Sequence, residues 1–158
     1  MQDCIVAGYD YFSFKEVFYK HLHEYEEQHQ ASTHKPWVQE RILEIISEVK
    51  HAKFSGQRLK PINYYWMKKY DVITTEIEEI LIIKPRSPED RALRVIPREE
   101  YFDRLMEIHT SIGHGGRDKT VHKLKHNTTY YVPKKAVEIL VSICPVCISK
   151  KGKKRNCT

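Results

Sequence analysis

Two histidines and two cysteines occur as close pairs, His109-x4-His114 and Cys144-x2-Cys147. Imidazole nitrogens and thiolate sulfurs are donors that suit zinc, and four of them make a closed tetrahedral set with no position left for a substrate. Two thiolates also neutralise a divalent cation, so burying the complex costs little. The spacing therefore predicts one structural zinc ion held by His109, His114, Cys144 and Cys147. On a continuous helix, residues five apart point about 140° away from each other, at about 100° per residue. His109 and His114 can share an ion only if the chain leaves the helix between them. Gly113, Gly115 and Gly116 provide for that turn, because glycine accepts positive φ. Cys144-Pro145-Val146-Cys147 reads as a short knuckle whose sulfurs converge while nearby backbone N–H groups donate to them.

Taken singly, these residues say little. The chain has nine histidines, and an isolated histidine is ordinarily a surface or a core residue. An isolated Cys-x2-Cys can be a redox pair. It is the combination, two histidines around a glycine turn and then two close cysteines, that favours the metal. Cys4 and Cys157 have no such partners and read as spare thiols. His122 and His126 lie four apart on a helix face and read as surface residues, since the ligand set is already complete.

The elements that must position this set follow from hydrophobic period. Over 13–30, Phe14, Val17, Phe18, Leu22 and Tyr25 recur at helical spacing, with Ser13 and Glu16 suited to a capping box. Over 36–54, Trp37, Ile42, Ile45, Ile46 and Val49 form a second stripe. Thr33 or His34 stands near its start, Pro36 takes a permitted first-turn position, and Gly56 follows it. A third, shorter helix is expected over 61–69. These aromatic stripes are one-sided, which favours core over base stacking. The pattern then turns to short β-branched runs, Asp71–Thr75, Glu79–Lys84 and Leu93–Pro97, separated by the turn-rich PRSPEDR. They predict a small antiparallel hairpin or meander. Helical spacing resumes at Glu99 with Tyr101, Phe102, Leu105, Met106 and His109, and continues over 117–126 and 134–143.

Composition sets outer bounds. Of 158 residues, 41% are hydrophobic and 30% charged, enough for both a core and a solvated surface. No apolar run approaches the roughly 20 residues that span a bilayer. The start, MQDCIVAGYDYFSF, has no basic n-region and reads as no secretory signal, so an intracellular, reducing setting with unpaired cysteines is expected. The net charge is +6, and its distribution matters more than its sum. Lys150, Lys151, Lys153, Lys154 and Arg155 crowd the end, and Glu138 is the only acid from Pro133 onward. Such an end suits a polyanion such as nucleic acid, or is simply a solvated tail.

The stretch IHTSIGHGGRDKTVHKLKHNTTYYVPKKAVEILVSICPVCISKK resembles the zinc-binding N-terminal domain of integrases from Ty3/gypsy-type retrotransposons and their domesticated relatives. The likeness covers residues 101–151. It rests on His-x4-His, a glycine-rich turn, a basic helix, an aromatic pair with a following helix, and Cys-x2-Cys before a lysine. The preceding KKYDVITTEIEEILIIKPRSPEDRALRVIPREEYFDRL is also similar to these proteins, whereas residues 1–60 carry no such likeness. The resemblance implies a helical bundle containing a helix-turn-helix, with binding of transposon-end DNA and subunit assembly as the family role. It places Arg117, Lys119, Lys123 and Lys125 on the helix after the glycine turn, as a nucleic-acid surface or as an ordinary solvated face. An integrase carries its catalytic acids downstream of Cys-x2-Cys. The chain after Cys147 holds no Asp or Glu, and two-metal strand transfer needs clustered carboxylates. No enzyme activity is expected.

The combined expectation is a mainly α chain with a small antiparallel β element. Residues 1–70 form a helical N-terminal extension and 71–97 a hairpin or meander linker. Residues 98–150 form the zinc-stabilised helical bundle, and 151–158 a basic tail. The function expected is a non-catalytic zinc module that binds DNA in the nucleus. The alternative is a protein-interaction or oligomerisation module, with a homo-oligomer or another protein as partner and no DNA contact. Neither a membrane nor a small-molecule substrate is expected.

Overall fold

The computed structural model describes residues 11–29, 37–55 and 60–155. Thr33, His34, Pro36, Gly56, Cys4 and Cys157, singled out above, lie outside the described residues. The fold is mainly α with a small sheet. Its order is α1 (Tyr11–Gln28), α2 (Gln39–Phe54), α3 (Pro61–Lys69), β1 (Tyr70–Thr74), β2 (Glu79–Ile83) and β3 (Leu93–Val95). A 3₁₀ turn (Arg98–Glu100) leads to α4 (Tyr101–Ser111), α5 (Arg117–Asn127), β4 (Tyr130–Tyr131), α6 (Lys134–Ile143) and α7 (Pro145–Arg155).

The described chain divides into two compact units. One comprises residues 11–29, 100–127 and 133–155; the other comprises 37–55, 60–99 and 128–132. In the first unit α1 packs against α4 and α6, and α4 and α6 each pack against α5. Phe14, Phe18 and Leu22 recur every four residues on α1 and are buried. Phe14 and Phe18 meet Phe102 of α4 with ring centroids 5.2 and 5.5 Å apart. The Tyr19 hydroxyl accepts the Phe102 N–H at 3.3 Å. Outside this apolar seam, Asp103 takes Lys15 at 3.3 Å and a hydrogen bond from the Tyr11 hydroxyl. The stripe on α1 is narrower than expected: Val17 is exposed and Tyr25 only half-buried. The helix already runs at Ser13, which therefore sits inside it and forms no capping box with Glu16.

The second unit has its own core. Ile42, Ile45, Ile46 and Val49 of α2 pack with Trp66, Tyr70 and Leu81. Trp37, Trp66 and Tyr70 form a ring cluster with centroids 5.4–5.7 Å apart. Trp37 joins it from ahead of α2, which begins later than expected. Val38 is extended, at φ −73° and ψ 161°, and leads into the helix at Gln39.

β1 pairs antiparallel with β2, and β2 with β3. The register places Val72 opposite Leu81 and Tyr70 opposite Ile83. The sheet gains one strand that the sequence reading lacked. Tyr130–Tyr131 pairs in parallel with Arg94 and Val95, so the sheet is mixed and runs β1-β2-β3-β4.

Candidate metal centre

Helix α4 ends where the ligands begin. His109 lies in its last turn and is fully buried, beside Leu105, Met106 and Ile108. The chain then reverses through Gly113 at φ +67° and His114 at φ +56°. The His114 N–H donates to the His109 carbonyl at 2.9 Å, closing the turn. A left-handed conformation is costly for a residue with a Cβ, so His114 is held there by its surroundings. Cys144 caps α6 at φ −64° and ψ 119°. Cys147 lies in the first turn of α7, which starts at Pro145. The expected knuckle is thus a helix-to-helix junction, because proline is well suited to the first position of a helix.

The four donor atoms all lie within 4.8 Å of one another. His109 Nε2 is 3.4 Å from Cys144 Sγ and 3.3 Å from Cys147 Sγ. His114 Nδ1 is 3.5 Å from Cys144 Sγ. With Zn–N near 2.0–2.1 Å and Zn–S near 2.3 Å, a regular tetrahedron has N···S edges of about 3.5 Å. These separations match the edges of such a tetrahedron as well as they match hydrogen bonds. Two nitrogens and two sulfurs at this spacing, three of the four residues being buried, fit a single zinc ion.

The electrostatics suit a metal-free site of neutral groups. Burial, with help from His114 and Lys150, pulls His109 down to about 4. Burial and then Lys150 also lower His114. Neutral imidazole is the ligating form. Burial, and next to it Cys144, pushes the Cys147 thiol up to about 11. A bound divalent cation reverses that preference, because a coordinating thiol is deprotonated outright. His109 Nδ1 is buried without a hydrogen-bond partner at normal distance; the backbone of Gly115 is the group that favours a proton on that ring.

The expected cations are placed unevenly. Arg117 opens α5 and is tied to Asp118 at 3.0 Å and to Glu138 at 3.6 Å. Lys119 and Lys125 are exposed and Lys123 is half-buried. Lys150 donates to the Gly113 carbonyl at 2.8 Å, linking α7 to the turn between the histidines. Lys151 is exposed and, with Arg117, Lys119 and Glu138, borders an open groove of about 560 Å³. Lys153, Lys154 and Arg155 continue α7, so this part of the basic run is helical; their side chains lie outside the described residues. His122 and His126 are exposed on α5 with ring centroids 4.3 Å apart.

Sequence reasoning missed Thr120. It is fully buried, and its hydroxyl donates to the Gly116 carbonyl at 3.0 Å, pinning the start of α5 to the glycine turn. Its position four residues after Gly116, on an otherwise charged helix, was the available signal.

No family model matches the chain, and no solved structure matches it. It is similar to KRAB-A domain-containing protein 2 of Homo sapiens, with 34% identity over 116 residues. That match covers 73% of this chain but only 23% of the human protein. Among the described residues, no helix is long and apolar enough to cross a membrane.

Proposed function

We propose that this chain is a zinc-stabilised nucleic-acid-binding module of the retrotransposon-integrase type, acting by binding and not by catalysis. The observation that carries the reading is the set of N···S separations of 3.3–3.5 Å among His109, His114, Cys144 and Cys147. These residues would hold the ion, and a four-donor N/S set leaves it no open position for substrate. When bound, zinc supplies folding free energy. The chain's own residues do the rest. The turn through Gly113 and His114 aims α5, and the junction at Pro145 aims α7. Lys119 and Lys123 make no ion pair within 4.0 Å among the described residues, so both remain available to phosphates. Lys151 adds to them from α7. Arg117 contributes less, because Asp118 and Glu138 already neutralise it. Support for the integrase type comes from the order of the donors and of the helices between them. The expected mode is phosphate contact with little sequence preference.

The test is a gel-shift titration of duplex DNA at two salt concentrations, with and without a chelator. Binding that weakens steeply with salt and disappears on chelation is expected, because neutralised phosphates release counterions. Lys119→Ala with Lys123→Ala should lower the salt slope by roughly 2, at about 0.9 per phosphate contact. Absence of binding at low salt, in a preparation holding one zinc per chain, overturns the nucleic-acid part. A defined oligomer under those conditions would favour the interaction-module alternative.

A further inference from the structure

The second unit carries a surface that the metal centre does not use. Helix α3 turns Trp66 into the core and leaves its opposite side exposed among the described residues. Tyr64 is 57% exposed and Tyr65 40% exposed. At about 100° per residue, the order from the side opposite Trp66 is Tyr64, Lys68, Pro61 and Tyr65, with half-buried Lys69 at the edge. Two aromatic and two cationic side chains are thus neighbours. Lys60 stands just ahead of the helix. Lys84 is brought alongside by its backbone N–H, which donates to the Lys69 carbonyl at 2.9 Å. The Lys84 ammonium gives one hydrogen bond to the Met67 carbonyl at 2.6 Å and keeps further donors. Lys69 lies between the Tyr65 ring, 5.9 Å from its centroid, and the buried Tyr70 ring, at 5.4 Å.

The lysines of this face make no close ion pair, although Lys84 lies near enough to help hold the Asp71 carboxylate charged. The other lysines of the unit are engaged: Lys50 pairs with Glu79, and Lys53 with Asp71 at 2.8 Å. Among the described residues, Lys60, Lys68, Lys69 and Lys84 have no carboxylate within 4.0 Å. The run from Lys60 to Tyr70 contains no acid. Protein interfaces are enriched in tyrosine but depleted of lysine. Exposed tyrosines interleaved with lysines match instead what an unpaired strand offers, stackable bases on a polyanionic backbone. A duplex hides its base faces and would leave the tyrosines unused.

We infer that the outer face of α3, with Lys84, binds single-stranded nucleic acid, stacking bases on Tyr64 and Tyr65 and holding phosphates with the lysines. This goes beyond the duplex-binding reading of α5 and α7 and stands on different residues.

The experiment is fluorescence anisotropy of a labelled mixed-sequence 12-mer with the full, zinc-loaded chain. It is run as single-stranded DNA, single-stranded RNA and duplex, with polyglutamate as competitor. Tyr64→Ala and Tyr65→Ala should each weaken single-strand binding roughly tenfold, and the phenylalanine versions should restore it. Replacing Lys60, Lys68, Lys69 and Lys84 with alanine should flatten the salt slope by roughly 2 to 3, at about 0.7 per contact for single strands. These lysine variants test the surface even where a tyrosine variant misfolds. Lys119→Ala with Lys123→Ala should leave single-strand binding intact. Wild-type affinity in the Tyr64→Ala/Tyr65→Ala chain overturns the proposal. So does duplex bound more tightly than single strand through these same residues, or polyglutamate competing as well as the oligonucleotide. Absence of duplex binding by the wild-type, zinc-loaded chain, with single-strand binding present, would sink the α5 reading and leave this one standing.

Discussion

The two units are stabilised by different means. The second closes on Ile42, Ile45, Ile46, Val49, Trp66 and Tyr70, a core of large apolar side chains from two helices and a sheet. The first has a good apolar seam between α1 and α4, but α5 offers little to it. Only Thr120 and Leu124 of that helix are buried. The turn from α4 to α5 and the junction from α6 to α7 converge instead on four ligand atoms. A zinc ion held by these atoms would fix this short, highly charged helix in place where apolar burial is small. The helix keeps its cations on the surface as a result.

Removing the metal should break this contrast most strongly. Structural zinc contributes on the order of 10 kcal/mol in small domains. Chelation, or Cys144→Ser, should therefore melt helices of the first unit and lower the helical circular-dichroism signal. Both tryptophans of the chain, Trp37 and Trp66, belong to the second unit. Their fluorescence maximum should stay blue-shifted while helicity falls. A folded, reduced preparation with no zinc by elemental analysis would remove the basis of the comparison.

The converse change is smaller. Ile45 is fully buried in the second core, and Ile45→Ala should cost about 2–5 kcal/mol through lost burial and a cavity. Zinc stoichiometry should remain one per chain while the tryptophan transition shifts to lower denaturant. Loss of zinc in this variant, without loss of the tryptophan signal, would contradict the assignment of separate cores.

How far the sequence foretold this structure depended on the kind of signal. Long periodic stripes, such as Phe14, Phe18 and Leu22 or Ile42, Ile45, Ile46 and Val49, put six of the helices close to where they are. Alternation did the same for β1 to β3. The four donors were legible because residue type and spacing identify them without knowledge of the fold. β4 was not legible, since two residues show no alternation. Helix α7 was hidden because Cys144-Pro145-Val146-Cys147 reads as a short knuckle and the charge run after it has no apolar period. Nothing local could reveal that α1 packs on α4 through Phe102, a contact set by tertiary packing. The Lys150 bond to the Gly113 carbonyl was invisible for the same reason. It makes one expected nucleic-acid contact a brace of the metal turn as well.

The finest contrast lies within the metal turn. A Cβ added at Gly113 or at Gly116 would meet nothing within 4 Å. Sterically the two positions are equivalent, yet their backbones are not. Gly113 sits at φ +67°, where an L side chain costs roughly 1–2 kcal/mol. Gly113→Ala should weaken zinc binding about fivefold to thirtyfold if the strain falls wholly on the zinc-bound fold. Gly116 precedes α5, and its carbonyl accepts the Thr120 N–H at 3.1 Å, the first bond of the helix. At such a position serine is preferred slightly over glycine, by a few tenths of a kcal/mol. Gly116→Ser should therefore leave zinc affinity unchanged, or improve it less than twofold. Competition titration against a chromogenic chelator measures both. Zinc affinity unchanged in both variants would mean that empty space, and not backbone conformation, decides what this turn tolerates.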